Sequence, residues 1–177
     1  MNQEDTILVV VDIQDKFLPV IKDIDKLIDN AIKLIKSFQI MNVSIVLTEQ
    51  YSKGLGKTVK RITNVLNDYN PIEKITFDCF GNKYFLKSVE DKKNLVICGI
   101  ESHVCVTQTM VTALKKGFNV YLVKDAISSR KESDKKIAIE RAKQEGAKIV
   151  STEMVIFELL GEAGTEVFKE VSKIVKD

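Results

Sequence analysis

The sequence is poor in several residues on which many kinds of site depend. It has one histidine, three cysteines, two prolines and no tryptophan. A single imidazole, on His103, is too few for a histidine-based metal centre, so we expect no metal and no cofactor. An odd number of cysteines at irregular spacing predicts neither a disulfide framework nor a paired metal motif. Three unpaired thiols favour a reducing compartment, and we expect the cytoplasm.

Strong charge and long apolar runs are also missing. The 27 basic and 25 acidic residues give a net charge of +2, and no basic stripe predicts a nucleic-acid partner. No apolar run approaches the roughly 18 residues that span a bilayer. The polar, acidic first residues lack the basic and apolar regions of a signal peptide. We therefore expect no nucleic acid and no membrane among its partners.

What the sequence has is a regular alternation of two patterns. Apolar runs of strand length alternate with segments whose apolar residues recur at helical spacing. This order predicts an α/β fold with three layers, α/β/α, and a six-stranded parallel, Rossmann-like sheet in one domain, residues 1–177. The predicted strands are 6–12, 43–47, 72–77, 95–100, 118–123 and 148–150, and the main predicted helices are 21–41, 58–66, 84–89, 103–116 and 133–145.

Three chemically distinct side chains fall at or near the strand ends, where such folds bind ligands. Asp12 ends the first strand, Lys74 lies in the third, and Cys105 begins the helix after the fourth. A helix N-terminus favours the thiolate of a cysteine. A carboxylate could take the thiol proton, an ammonium could stabilise the charge, and backbone N–H groups could hold an oxyanion. We predict a sulfur nucleophile.

Three segments carry a resemblance to a known family. Residues 10–14 (VVDIQ), 73–77 (EKITF) and 99–109 (GIESHVCVTQT) resemble the isochorismatase-like cysteine hydrolases, and the match runs from the first strand to the penultimate helix. Residues 48–56 (TEQYSKGLG) and 99–101 look most like the isochorismatase-domain-containing branch of that family. This resemblance implies the same three-layer fold and a hydrolase.

The resemblance also assigns roles. It implies a catalytic triad of Asp12, Lys74 and Cys105. It implies a cis peptide between Ile100 and Glu101, and an oxyanion hole formed by the backbone N–H groups of Glu101 and Cys105. It further implies a homo-oligomer whose neighbouring subunits help to close the site.

One position departs from part of the family. The nicotinamidase branch holds a metal with Asp and His residues after the second strand, where this chain has Glu49, Gln50 and Tyr51. Too few ligands remain for a zinc or iron ion. The departure weakens a nicotinamidase interpretation without excluding another amidase.

Each candidate also has an ordinary structural interpretation. Asp12 could cap the turn after its strand, and Lys74 could protect an edge strand. Cys98 is typical of core packing, and we interpret Cys79 as structural although it follows Lys74 closely. His103 could act as a base, but we favour a surface or supporting role because Asp12 already supplies one.

The segment Lys53–Thr58 superficially resembles a phosphate-binding loop. That motif needs a glycine where this chain has Tyr51, so we do not predict nucleotide binding. We expect a glycine-hinged loop that borders the mouth of the site. Phe17, Tyr51, Phe80 and Ile100 are the predicted wall of a pocket for a small-molecule substrate.

These observations lead to one main functional hypothesis. The chain is predicted to be a cofactor-independent cysteine hydrolase that cleaves a small amide or related C–N bond through an acyl thioester. The alternatives are a non-catalytic binding scaffold and a nicotinamidase-type amidase without the metal site. A vinyl-ether hydrolase of the isochorismatase type is a further possibility, but such enzymes do not use the nucleophilic cysteine.

Overall fold

The strand residues are apolar on both faces, which is typical of strands covered by helices on either side. In a computed structural model that describes residues 1–176, the strands are β1 (Thr6–Val11), β2 (Ser44–Gln50), β3 (Ile72–Lys74), β4 (Asn94–Ile100), β5 (Asn119–Ser128) and β6 (Lys148–Val150). These six strands form one all-parallel sheet in the order β3-β2-β1-β4-β5-β6. This confirms the predicted three-layer α/β/α architecture.

Eight α-helical segments connect or follow these strands. The helices are α1 (Ile24–Ile40), α2 (Ser52–Leu55), α3 (Lys60–Thr63), α4 (Lys83–Ser88), α5 (Thr107–Lys115), α6 (Glu132–Gln144), α7 (Thr152–Leu160) and α8 (Glu166–Lys176). Side chains alternate between the two faces of β1. Leu8 and Val10 face one apolar cluster, with α1, α7 and α8, and Ile7 and Val9 face the other, with α4, α5 and α6.

The strand order reverses between β1 and β4. The chain moves outward from β1 through β2 to β3, and then returns to the centre and moves outward in the opposite direction through β4, β5 and β6. A crevice forms at such a reversal because the two connections leave on opposite sides. The carboxyl ends of β1 and β4 are therefore the expected position of a site.

The structure corrects three predicted segments. The strand expected at 72–77 ends at Lys74, since the chain turns so that the Thr76 and Phe77 carbonyls face the Lys74 ammonium. The helix expected at 58–66 is only α3, and the turn-forming residues that follow it are typical of loops. The expected hinge loop at 53–58 begins with the short helix α2.

Among residues 1–176, no helix is both long enough and apolar enough to cross a membrane. Within the same residues, no group of three or more His, Cys, Asp or Glu side chains is arranged to hold a metal ion.

Candidate active site

At the carboxyl ends of the paired strands β1 and β4, Gly99 lies directly beside Val11. Gly99 has φ +117°, and a Cβ atom added there would lie 2.1 Å from the carbonyl oxygen of Val11. Only glycine allows this backbone conformation at this distance. The absence of a side chain at Gly99 thus lets the end of β4, which leads to Cys105, lie directly against the residue before Asp12.

Asp12 is buried at the end of β1 with both carboxylate oxygens bound. Its backbone adopts φ +51°, a conformation that Asp tolerates better than most residues, and its N–H donates to the carbonyl of Thr48. The Thr48 hydroxyl donates to Oδ1 at 2.7 Å, and the Lys74 ammonium donates to Oδ2 at 2.7 Å. The carboxylate is therefore held in one orientation.

Lys74 forms a buried ion pair with Asp12, and each side chain is only 1% exposed. Burial alone would lower the pKa of Lys74, but the negative charge of Asp12 raises it overall. The ammonium also donates to Oε1 of Gln50 at 2.8 Å. Lys74 thus remains a cation at the centre of a group of oxygen atoms.

Cys105 lies in a turn of π-helix, Ser102–Val106, that precedes α5, and is 6% exposed. Single π-helical turns are frequent at functional sites. Burial raises the pKa of the Cys105 thiol, and the charge of Asp12 raises it further, against the opposing effect of Lys74. This direction is opposite to the one expected from a helix N-terminus, so the resting side chain is a neutral thiol.

The turn between β4 and Cys105 orients its backbone around one carbonyl group. The Ile100–Glu101 peptide bond is cis, and the carbonyl of Glu101 accepts from the N–H groups of Val104 and Val106. Cys105 stands between these two residues in the sequence, but its N–H does not donate to the carbonyl oxygen of Glu101. The geometry leaves a backbone donor beside the thiol, as an oxyanion hole would need.

The side chain of Glu101 binds Arg130, whereas its backbone carbonyl binds the Cys105 turn. Its Oε2 accepts from the backbone N–H of Arg130 at 3.0 Å and from the Nε of Arg130 at 3.1 Å. The carboxylate is buried while the Arg130 side chain is 60% exposed. This pair ties the Cys105 turn to the loop that follows β5.

The two other residues left open by the sequence occupy different surroundings. Nδ1 of His103 lies 3.0 Å from Oγ of Ser129, and Nε2 is 3.8 Å from Asp134 on α6, which fits a supporting role. Cys79 is fully buried, and its thiol lies 4.0 Å from the Thr48 hydroxyl. Cys79 therefore packs against the residue that orients Asp12.

The four predicted pocket residues are not equivalent. Tyr51 is 51% exposed, its backbone N–H donates to the carbonyl of Lys74, and its ring covers Gly54. Phe17 is partly buried against the cluster that contains Ile100, which is fully buried. Phe80 packs edge-to-face on Phe85, with ring centroids 5.1 Å apart, so much of its surface belongs to the core.

Glu49 lies at the position where the nicotinamidase branch has metal ligands. In this chain, hydrogen-bond donors of the protein bind its carboxylate. Its Oε1 accepts from the backbone N–H and hydroxyl of Thr58 and from the hydroxyl of Tyr69. Burial and the neighbouring carboxylate raise the pKa of Tyr69 to about 12. Glu49 holds the α2–α3 segment against β2.

Sequence reasoning missed Thr48 and Gln50, which contact the ion pair directly. Thr48 was considered only within the segment 48–56 that resembles one branch of the family, and Gln50 also as a position without a metal ligand. The available signal was their position: polar residues at the carboxyl end of a buried strand that neighbours β1. Their partners, Asp12 and Lys74, are 24 to 36 positions away along the chain, so no local pattern identified them.

Comparisons with known proteins place the chain in a family. Residues 6–154 match the family model of the isochorismatase domain. The chain is 34% identical to the secreted isochorismatase effector Isc1 of Phytophthora sojae, over 97% of this chain and 85% of the relative. It is 33% identical to isochorismatase domain-containing protein 2 of Danio rerio, over 99% and 89%. The second relative confirms the resemblance to the isochorismatase-domain-containing branch.

Solved structures agree with the fold. The MAR1 ribonuclease from Caenorhabditis elegans superposes with a TM-score of 0.96 at 35% identity, covering 100% of this chain and 92% of the other. The YcaC gene product of Escherichia coli, an octameric hydrolase of unknown specificity, superposes with a TM-score of 0.85 at 27% identity, over 92% and 82%.

Proposed function

Since the chain belongs to the isochorismatase family of hydrolases, we propose that it is a cysteine hydrolase that cleaves a small amide or related C–N bond without a cofactor. The observation that carries the proposal is the buried Asp12–Lys74 ion pair at the strand ends that also position the Cys105 thiol. A buried ion pair costs desolvation energy, and it is seldom retained for stability alone. Its place beside a thiol suits proton transfer.

The proposed reaction proceeds through two transfers of the acyl group. Asp12 takes the thiol proton of Cys105 as sulfur attacks the substrate carbonyl carbon, and the N–H groups of Glu101 and Cys105 hold the oxyanion. The departing nitrogen takes the proton from Asp12, which leaves a thioester. Asp12 then takes a proton from water and hydroxide attacks the thioester. The C–S bond breaks, the carboxylic acid departs, and the Cys105 thiolate recovers the proton from Asp12.

A neutral resting thiol fits this scheme because Asp12 has a proton to remove. A thiolate already formed would leave the carboxylate no proton to remove in the first step. Lys74 maintains the negative charge of Asp12 at rest and offsets the charge that develops on sulfur during attack.

The test is turnover of a panel of small primary amides, followed as ammonia release, with wild type, Cys105→Ala and Cys98→Ala. Cys98 is a fully buried core cysteine and provides the matched control. We expect Cys105→Ala to lose on the order of a thousandfold or more in kcat/KM, while Cys98→Ala stays near wild type. Intact-mass spectrometry during turnover should detect an acyl adduct on Cys105. Retained turnover in Cys105→Ala would contradict the nucleophile.

Two alternatives give different outcomes in the same experiment. A binding scaffold would turn over none of the amides, with no difference between wild type and Cys105→Ala. A nicotinamidase-type amidase would prefer nicotinamide within the panel, and its rate would not change on treatment with a metal chelator.

A second candidate function is RNA cleavage, since the Caenorhabditis elegans protein of nearly identical fold is a ribonuclease. The near-neutral net charge of this chain favours the amide hydrolase. Incubation of RNA oligonucleotides with wild type and Cys105→Ala under conditions free of contaminating nuclease tests this directly. Cleavage by wild type that disappears in the variant would favour a ribonuclease.

We also propose that the protein is a homo-oligomer of single-domain subunits that acts on its small-molecule substrate in the cytoplasm. The octameric relative supports the assembly, and three buried free cysteines support a reducing compartment. The secreted relative is the reason to test the location separately. Sedimentation velocity measures the assembly, and fractionation of the source cells measures the location.

A further inference from the structure

The hydrogen bonds of Lys74 account for every donor of its ammonium group. An ammonium has three N–H donors. One faces Oδ2 of Asp12 at 2.7 Å, one faces Oε1 of Gln50 at 2.8 Å, and the third lies between the carbonyl oxygens of Thr76 and Phe77, both at 3.3 Å. No donor of Lys74 remains for sulfur, substrate or a leaving group.

Gln50 is itself held firmly. It is 8% exposed, and its backbone N–H and C=O both bind the side-chain amide of Gln14, at 2.8 and 3.0 Å. Its own Nε2 donates to the carbonyl of Ile75 at 2.6 Å. This donation fixes the orientation of the amide, because a carbonyl can only accept and a lysine can only donate. Oε1 must therefore face Lys74.

The acceptor that Gln50 offers is neutral. A carboxylate in its place would give the ammonium two equivalent anionic partners and would divide its charge between them. With an amide, Asp12 is the only carboxylate among residues 1–176 that binds Lys74. The other titratable groups that act on the ammonium are the thiols of Cys79 and Cys105.

We propose that Gln50 is a positioning residue that directs Lys74 onto Asp12, so that Lys74 controls the charge of the base and transfers no proton itself. The inference rests on the proposed hydrolase function for its catalytic consequence. The hydrogen-bond arrangement can be tested without any substrate.

The test compares Gln50→Leu and Gln50→Glu with a matched control, Gln39→Leu. The amide of Gln39 also bridges two backbone groups, accepting from Asn67 N–H at 2.7 Å and donating to the Val65 carbonyl at 2.9 Å. It lies at the end of α1 and contacts no residue of the ion pair. A variant that only destabilises the fold should give the same result at Gln39 and at Gln50. Loss of the positioning of Lys74 should appear only in the Gln50 variants.

The first readout is the ¹H–¹⁵N spectrum of lysine ammonium groups, with the Lys74 signal assigned by Lys74→Met. We expect one slowly exchanging ammonium in wild type and in Gln39→Leu, and its loss in Gln50→Leu because one donor is released to solvent. A protected Lys74 signal that persists in Gln50→Leu would overturn the inference.

The second readout is the pH dependence of turnover. We expect Gln50→Leu to lower kcat on the order of 100-fold with little change in KM, since the base loses its alignment rather than its contact with substrate. In Gln50→Glu the added negative charge disfavours ionisation of Asp12, so the acidic limb of kcat/KM should move to higher pH. Wild-type profiles in both variants would overturn the inference.

The two readouts separate this inference from the function that it extends. If no amide is turned over but the ammonium signal is lost in Gln50→Leu, the positioning stands and the proposed function fails. If Cys105 proves catalytic and Gln50→Leu matches wild type in spectrum and rate, the function stands and the positioning fails.

Discussion

The two ends of the central sheet both bury polar side chains, but in opposite ways. At the amino end, Asn119 donates to Asn94 and Asn94 donates to Thr6, which forms a neutral chain across β5, β4 and β1. At the carboxyl end, Asp12 and Lys74 form a buried ion pair. The first arrangement joins the buried Asn94 and Thr6 to the exposed Asn119 through neutral hydrogen bonds, and the second keeps two charges out of water.

The difference shows what each end does. Neutral hydrogen bonds contribute modestly to stability and are tolerant of pH, while a buried ion pair costs nearly as much in desolvation as it returns in attraction. A protein that needed only a stable sheet could use the neutral arrangement at both ends. The charged end is the one expected to carry the chemistry, and the following changes test this contrast.

The largest effect should come from removing one charge. Lys74→Met leaves the Asp12 carboxylate buried without a partner, and we expect the free energy of unfolding to fall by about 3–5 kcal/mol. The double variant Asp12→Asn, Lys74→Met removes both charges and should recover much of that loss, although turnover stays absent. Urea denaturation of wild type, the single variant and the double variant measures this. Equal stability in all three would show that the pair is not buried in solution.

The next effect concerns how closely the strands approach at the site. Gly99→Ala combines a strained φ with a clash against Val11, and we expect a loss of about 3 kcal/mol or more. Gly117, between α5 and β5, also has a positive φ but no atom within 4 Å of an added Cβ. Gly117→Ala should therefore cost only about 1 kcal/mol. Thermal denaturation of the two variants separates the clash from the backbone strain, and equal losses would argue against the close approach.

A smaller effect is expected at the neutral end. Asn94→Ala removes hydrogen bonds to Thr6 and Asn119, so the free energy of unfolding should fall by about 2 kcal/mol. Turnover per folded molecule should match wild type because Asn94 lies at the far end of β4 from Cys105. Denaturation and active-site-normalised rates provide the two measurements. A large fall in kcat would mean that the two ends are not independent.

The smallest effect is a dependence of stability on alkaline pH. Burial raises the pKa of Cys98 from 9.0 to about 12, so the folded state keeps a proton that the unfolded state releases. Stability from this group is complete below pH 9 and falls as pH rises toward 12, by about 1 kcal/mol for each unit in this range. Cys98→Ala should show a shallower decline between pH 9 and 10 in urea denaturation. Parallel slopes in wild type and the variant would contradict the raised pKa.

The sequence predicted most of the sheet because buried parallel strands and their helices have strong periodic signals. The limits of β1, α1 and β6 were predicted to within a few residues for this reason. Segments without such a signal were predicted less well. The chain after Lys74 turns to place two carbonyls on its ammonium, and nothing in the local pattern of residues 72–77 distinguishes this turn from a longer strand.

The candidate site was predicted only in part for a similar reason. Asp12, Lys74 and Cys105 were found because they are unusual residues at strand ends and match a family pattern. Gln50 was missed because an amide next to a strand is ordinary until its partner is known. The raised pKa of Cys105 was missed because a helix N-terminus is visible in a sequence, whereas burial beside Asp12 is not.

The amino-acid sequence by itself determined the layered fold, the family and the choice of three candidate catalytic side chains, since these depend on local periodicity and on motifs of a few residues. The tertiary structure alone decided how those side chains interact. The close contact at Gly99, the orientation of Asp12 by Thr48 and the occupation of every Lys74 donor join residues that are far apart in the chain. Hydrogen bonds and charges act over a few ångströms, so only the folded chain determines which groups they connect.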